Sequence, residues 1–383
     1  MRRNILYRIV SGTMAIILML ICFVSCRNHV PNTEEKNTDA FTDQTIDFLA
    51  INLKSNHQRE YCVIQGNSYI QLGKLNHENV LEKIADNLPP INNKHDATVH
   101  GITTDGTFLY AYIRIFTYED NKVLRRTYLY RINPVTGEYI SLYDYEQPSV
   151  INNNFSLNLF GDYLYFFIPN DAGYNELCRV KTDGSEYEQL TQGNTQDGIY
   201  TGMIEYDHVY YLIKNNCVYR TTAFSMKDAE LFLENITTIE LYQDTLYFVR
   251  DSTMYRINLR EPDKIELCFE NIYDSSYVIK ENKIYYLTKN EKFIGKNSAG
   301  EDVYNPTQGT IYVYDIESGI SQFVYENEQL HITAFFNINS QNILASMQTN
   351  NERLSESGDI QKYYLLPLDG SEPIKIQDLR YTD

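Results

Sequence analysis

Along most of this chain apolar and polar residues alternate in runs of four to seven positions, with Tyr, Phe, Ile and Val in the apolar places. A period of two sends successive side chains to opposite faces of an extended chain, so each run predicts a β-strand rather than a helix. The stretch from Gly161 to Leu190 is the clearest example. It reads as a strand, a loop, a second strand, a tight Asp183-Gly184 turn and a third strand. Polar turn signals separate the runs too closely for three-turn helices to fit.

Two marks recur in order. The first is an apolar-aromatic pair: Leu109-Tyr110, Leu164-Tyr165, Val209-Tyr210, Leu246-Tyr247, Ile284-Tyr285 and, more weakly, Ile343-Leu344. The second follows downstream as Leu129-Tyr130-Arg131, Leu177-Cys178-Arg179, Val218-Tyr219-Arg220, Met254-Tyr255-Arg256, Ile311-Tyr312-Val313 and Tyr363-Tyr364-Leu365, with successive spacings of 48, 41, 36, 57 and 52 residues. Repeats of this length with several short strands imply propeller blades. The expected fold is therefore all-β: a single β-propeller of four-stranded antiparallel blades over residues 45–383. Units are expected at about 98–150, 151–197, 198–236, 237–274, 275–329 and 330–383. Residues 45–88, with Ile46 and Phe48 in the first strand, make a seventh blade; if they only pair onto a neighbour, the count is six. Thr136-Gly137, Asp183-Gly184, Ser318-Gly319 and Asp369-Gly370 are expected to turn the last hairpin of their units.

The segment Tyr163 to Leu190 resembles the YWTD repeat of low-density-lipoprotein-receptor-type β-propellers. Leu164-Tyr165-Phe166, then Leu177 and Arg179, then Asp183-Gly184-Ser185 follow the family's order. Leu246-Tyr247-Phe248 with Met254-Tyr255-Arg256 is a second match, and Asp369-Gly370-Ser371 closes the last copy. The likeness spans roughly Ile102 to Leu379 and is nearest to bacterial lipoprotein propellers of unknown function. It departs from the receptor family in having no Trp and in lacking most of the Asp that follows it, so the family's calcium and ligand sites are not carried over.

Residues 1–25 read as a signal peptide, with Arg2, Arg3 and Arg8 before an apolar core from Ile9 to Val24. The run ends in Phe23-Val24-Ser25-Cys26, which resembles a bacterial lipobox with Cys26 as the lipidated residue. The competing reading is an uncleaved transmembrane anchor, for which a run broken by Ser11, Gly12 and Thr13 is marginal. Residues 26–44 are polar and without apolar period, as in a flexible tether. Such a tether would reach about 25 Å.

The formal charge of −18 becomes more negative once the basic leader is removed. Nucleic acid and anionic lipid would be repelled, so contact with the membrane is expected through the anchor only. Simple solubility is the favoured explanation of the acidity. Cys62, Cys178, Cys217 and Cys268 form no C-x-x-C pair; an exported chain could bridge some of them, and small buried hydrophobes are the other reading. His77, His95 and His100 lack metal-ligand spacing. Most of the 34 Tyr fall on repeat positions, which suits packing between blades more than ligand stacking. The repeated Arg131, Arg179, Arg220 and Arg256 suit inter-blade hydrogen-bonding posts.

No nucleophile elbow, zinc-protease helix, P-loop or dinucleotide fingerprint appears, and neither a cofactor nor a metal is expected. An axial site assembled from several blades would escape such a search; Asn158, Glu205, Glu240 and His331 are its isolated candidates. The expected function is a lipid-anchored, non-enzymatic binding or scaffold module at the extracytoplasmic face of a bacterial membrane, with an envelope protein or glycan as partner. A carbohydrate-active or lyase-type propeller enzyme is the alternative.

The spacing between the two marks measures the loop joining the second and third strands. It is 20, 13, 9, 8, 27 and 20 residues in successive units. Three units therefore carry insertions, against loops of about 4–6 residues elsewhere. Candidate binding residues are Tyr118, Glu119 and Asp120 in the first, Phe293, Lys296, Tyr304 and Asn305 in the second, and Glu352, Arg353 and Glu356 in the third. With seven blades these loops would crowd one sector of one face, where binding on a rigid scaffold usually lives. Tolerated surface insertion is the competing explanation.

The anchor is directly testable. Cys26→Ala is expected to leave precursor or release soluble protein in cell fractionation; unchanged membrane retention would indicate a transmembrane anchor.

Overall fold

A computed structural model describes, within a compact unit spanning 43–383, residues 61–66, 69–75, 81–85, 95–119, 122–147, 157–169, 175–191, 202–224, 229–337, 342–355, 362–375 and 381–382. The leader, Cys26, the tether, Ile46, Phe48, Asp120 and Glu356 lie outside the described residues.

Each unit read from the alternation forms a meander, because short turns let consecutive antiparallel strands pair. Sheet A contains β1 (Tyr61–Gly66), β2 (Tyr69–Leu75) and β3 (Leu81–Ala85). Sheet B contains β4 (His95–Thr104), β5 (Leu109–Glu119), β6 (Lys122–Ile132) and β7 (Tyr139–Gln147). Sheet C contains β8 (Asn158–Phe160), β9 (Tyr163–Pro169), β10 (Asn175–Lys181) and β11 (Glu188–Gln189). Sheet D contains β12 (Gly202–Tyr206), β13 (Val209–Lys214), β14 (Cys217–Thr221) and β15 (Glu230–Leu233). Sheet E contains β16 (Thr238–Tyr242), β17 (Thr245–Arg250), β18 (Thr253–Asn258) and β19 (Ile265–Phe269).

Sheet F pairs β20 (Ile272–Lys280) and β21 (Lys283–Thr288) with β24 (Ile311–Asp315) and β25 (Ile320–Tyr325). Between them β22 (Lys292–Lys296) and β23 (Asp302–Asn305) form a separate hairpin. Sheet G contains β26 (Leu330–Asn337), β27 (Asn342–Thr349), β28 (Lys362–Pro367) and β29 (Ile374–Lys375), with the short helix α1 (Asn350–Leu354) inserted after β27. The last strand, β30 (Tyr381–Thr382), returns to sheet A and lies parallel to β3, with Tyr381 opposite Leu81. The described fold is thus almost entirely β. It is a β-propeller.

Successive sheets pack face to face, so the middle strands are buried on both sides. In β17, Leu246, Tyr247, Phe248 and Val249 are all buried. The recurrent marks are this core: Leu109, Tyr110, Leu164, Tyr165, Ile284 and Tyr285 from the first, and Leu129, Leu177, Val218, Met254 and Ile311 from the second. One mark is displaced. In sheet D the register places Tyr211 opposite Arg220, whereas Tyr247 faces Arg256 in sheet E. Tyr211, not Tyr210, is therefore the equivalent of Tyr247, because the Asp207-His208 turn sets the pairing.

Polar tips of core residues tie sheet B to sheet C and sheet E to sheet F. Tyr112 donates its hydroxyl to Phe167 O at 2.9 Å, from sheet B to sheet C. Tyr242 in sheet E donates to Asn282 Oδ1 at 2.9 Å and accepts from Asn282 N at 3.1 Å. Arg131 reaches Thr182 O at 3.2 Å and Arg256 reaches Ile316 O at 3.2 Å, each in the next sheet. Arg179 and Arg220 instead pair with Glu188 and Glu230 on the outer strand of their own sheets. The repeated arginine is an inter-sheet post in two of its four places.

Two expectations need correction. Residues 45–88 do not supply every strand of the first sheet, since β30 arrives from the far end of the chain. The first long spacing is not an inserted loop. Pairing between β5 and β6 runs unbroken from Leu109↔Ile132 to Glu119↔Lys122, so the extra residues lengthen the strands. Ladder pairing satisfies many of the added backbone groups, and a run rich in Ile, Tyr, Thr and Val suits it.

The four Gly turns adopt positive φ, at Gly137, Gly184, Gly319 and Gly370. Several two-residue hairpins do so without Gly, at Asp207-His208, Asn215-Asn216 and Asp251-Ser252. Cys178, Cys217 and Cys268 are free thiols, and burial pushes the Cys178 thiol up to about 11.

Tyr242→Phe should lower stability by about 1–3 kcal/mol, because it removes two hydrogen bonds between sheets E and F while leaving the ring. Urea denaturation measures it. An unchanged midpoint with an unchanged slope would show that the hydroxyl does not tie the sheets.

Candidate binding site at two converging insertions

The second and third insertions, in sheets F and G, meet in space. In the hairpin β22–β23, Phe293 stands opposite Tyr304 with ring centroids 5.6 Å apart. A bulge between Phe293 and Gly295 leaves Gly295 at φ +148, and a Cβ there would lie 3.1 Å from Leu354 Cδ2 of α1. The missing side chain lets helix and hairpin close on each other. α1 follows Thr349, whose side chain accepts from Glu352 N at 3.2 Å while Glu352 Oε2 accepts from Thr349 N at 2.8 Å. This reciprocal cap sets the direction in which the next residue, Arg353, leaves the helix.

Arg353 Nη2 donates to Tyr304 O at 3.0 Å, and Nη1 lies 2.5 Å from His331 Nδ1. A guanidinium only donates, so His331 Nδ1 must accept and carry no proton. His331 is buried on β26, and its Nε2 meets no hydrogen-bond partner among the described residues. Burial first, and the Arg353 charge second, push its pKa down to about 4. Beneath them Asn305 is fully buried. Its Nδ2 donates to Leu330 O at 2.9 Å and Asn350 Oδ1 at 3.1 Å, while its Oδ1 accepts from Gln308 N at 3.0 Å.

The sequence candidates therefore divide by task. Phe293 and Tyr304 are solvent-exposed aromatics, at 53% and 46% of their full area. Lys296 spans its own hairpin to Asp302 Oδ1 at 2.5 Å. Asn305 and Arg353 join the two insertions from within, and Glu352 caps α1. Tyr118 and Glu119 sit at the end of β5, away from any inserted loop of their own. Asn350 and Leu354 also hold the joint, and their only local signal in the sequence is the capping pattern Thr349-x-x-Glu352.

The axial candidates lie on first strands: Asn158 on β8, Glu205 on β12, Glu240 on β16 and His331 on β26. Glu205 Oε1 accepts from His208 N at 3.1 Å and so supports the turn that ends its strand. Burial, then the charge of Glu240 on the first strand of sheet E, raise the phenol of Tyr277 on the first strand of sheet F well above its ordinary value. Among the described residues no group of three His, Cys, Asp or Glu side chains could hold a metal ion.

No protein-family model matches this chain, and no curated protein matches it. Solved structures do. An uncharacterized protein from Listeria monocytogenes covers 83% of this chain with 98% of its own length, at 9% identity and a TM-score of 0.47. A nidogen–laminin complex covers 68% of this chain and 91% of its own, at 10% identity and a TM-score of 0.40. The WD40 domain of SCAP from fission yeast covers 75% and 77%, at 10% identity and a TM-score of 0.39. The functional reading rests on this chain's own residues.

The His331–Arg353 contact has a pH signature. An unfolded histidine titrates near 6.5, roughly 2.5 units above the folded value. Between those values the unfolded chain binds more protons, so stability falls as pH drops from about 6.5 to about 4. His331→Gln should lose this component, making the drop in unfolding free energy between pH 7 and pH 4 smaller by on the order of 3 kcal/mol. Identical pH dependence in variant and parent would show that His331 does not carry the shift.

Proposed function

We propose that this chain is a lipid-anchored β-propeller, held through Cys26 at the extracytoplasmic face of a bacterial membrane. It binds a protein or glycan of the cell envelope without chemical turnover. The observation that carries this reading is the joining of two insertions from different sheets into one platform, with Arg353 fastened to Tyr304 O at 3.0 Å. Loops tolerated only as surface excess would not be expected to share a buried Asn305–Asn350 hydrogen bond at 3.1 Å. The joint holds Phe293 and Tyr304 exposed on a rigid support, and exposed aromatics held rigidly lose little conformational entropy on binding. The sequence supplies the address: a basic leader, an apolar core and a small residue before Cys26.

Two of the axial candidates have internal hydrogen-bonding tasks, Glu205 at its turn and His331 against Arg353. This favours binding over catalysis. The alternative of a carbohydrate-active or lyase-type enzyme keeps Glu240 beside Tyr277 as its starting point.

The test separates platform from scaffold. Phe293→Ser with Tyr304→Ser should reduce retention of the full-length protein's envelope partner at least tenfold, about 1.4 kcal/mol. Purified cell-wall material and solubilised envelope proteins are assayed in parallel, and thermal unfolding should stay within a few degrees of the parent. Retention unchanged by the double substitution would place the partner site elsewhere. Turnover of a polysaccharide that disappears on Glu240→Gln would reverse the choice between binding and catalysis.

A further inference from the structure

Away from this platform, the outer parts of sheets D and E carry a second recurrent feature. Across strands two, three and four, Tyr211, Arg220 and Glu230 pair in register in sheet D. Tyr247, Arg256 and Glu266 do the same in sheet E. Residues directly opposite one another share a face, so each set forms one Tyr–Arg–Glu rung. Each rung lines a cleft whose far wall is the turn before the last strand of the next sheet. Leu259 and Pro262 form that wall beside sheet D, and Ile316 forms it beside sheet E. The clefts measure about 420 and 280 Å³.

Neighbouring sheets show how the same position is closed. Sheet C repeats the rung as Tyr165, Arg179 and Glu188, but Phe224 from sheet D lies over Tyr165, with centroids 5.6 Å apart. In sheet B, Ile140 stands where the glutamate would be, and Arg131 is tied to Thr182 O.

We propose that the clefts between sheets D and E and between sheets E and F each bind one unit of a neutral saccharide, so that a glycan of repeated units is held across both. This rests on the binding-module reading but uses a different surface. The charge balance selects the ligand. Arg220 Nη2 donates to Glu230 Oε2 at 3.1 Å and Arg256 Nε to Glu266 Oε2 at 2.9 Å, so each cleft presents a cation beside an anion. In the second, Lys264 also pairs with Glu266 and Glu261 adds a carboxylate, which keeps the balance even. An anionic ligand would meet the glutamate, with Asp207 also lining the first cleft, and a cationic ligand would meet the arginine. Adjacent hydroxyls on a pyranose ring can accept from a guanidinium and donate to a carboxylate together.

Tyr206, half-buried in the first cleft, offers ring surface to the sugar's C–H groups, whereas Tyr242 lines the second cleft from the buried side. The volumes sit near the lower end of ligand pockets, roughly 300–1,000 Å³, which suits a single sugar ring. Arg220 forms one hydrogen bond among the described residues and keeps further donors for a ligand, whereas Arg256 is also held by Ile316 O at 3.2 Å. The cleft beside sheet D is accordingly the stronger site.

Calorimetric titration of the full-length protein with neutral tetrasaccharides of glucose, mannose and N-acetylglucosamine tests the proposal. At least one should bind, and Arg220→Met with Glu230→Gln should weaken it at least tenfold. Both side chains are substantially exposed, so folding is expected to survive; Glu230→Gln alone, the conservative change, should weaken binding several-fold at an unchanged unfolding midpoint. Arg256→Met with Glu266→Gln should cause a smaller loss, and Phe293→Ser with Tyr304→Ser should leave saccharide binding intact. That last result separates these clefts from the platform. Three outcomes overturn the proposal: no binding by any of the three up to about 10 mM, affinity untouched by both cleft variants, or tighter binding of acidic than neutral saccharides.

Discussion

Burial of the middle strands between packed neighbouring sheets is the constraint on which the described structure depends. A strand covered on one face can alternate polar and apolar residues; one covered on both cannot, and Leu246 to Val249 are buried without a break. Each fully buried aromatic or aliphatic side chain contributes roughly 1.5–3 kcal/mol by leaving water. Tyr fills this role where bulk is needed at a sheet-to-sheet contact and its hydroxyl can still be satisfied. Tyr112 finds the Phe167 carbonyl and Tyr242 finds Asn282, so ring packing and hydrogen bonding act at the same seam. A chain with no Trp can meet the requirement this way.

Further out the covering thins. Ile140, Leu231, Ile265, Leu267, Ile320 and Phe323 on the outer strands are substantially exposed. The arginine posts show the same gradient. Arg256 reaches both its own Glu266 and the next sheet, while Arg220, further exposed, keeps only Glu230. Exposed pairs of this kind add little to stability, about 0–1 kcal/mol each. Their positions are therefore open to serve recognition with little effect on the fold. The insertions follow a similar division: the innermost contacts, Asn305 with Asn350 and Arg353 with His331, hold the platform, and its rim carries Phe293 and Tyr304.

The sequence by itself determined the period, the strands and the residues that fill the seams, because alternation and turn chemistry are properties of consecutive residues. The unit beginning expected near 237 opens at Thr238, and that expected near 330 opens at Leu330. Pairings between distant segments carried no such signal. Nothing local in Tyr381-Thr382 indicates that it lies beside Leu81-Glu82. Spacing alone could not distinguish a loop from a longer ladder, so the extension of β5 and β6 was read as an insertion. Tyr210 and Tyr211 are chemically interchangeable as a mark, and only the register chose between them. Asn305 reads from the sequence as a candidate binding residue of an insertion; its burial comes from Leu330 and Asn350, supplied by segments that follow it in the chain. The meeting of Tyr304 with Arg353 depends on how sheets F and G stack. Local chemistry specifies each sheet, but the stacking of one sheet on the next decides which distant side chains share a site.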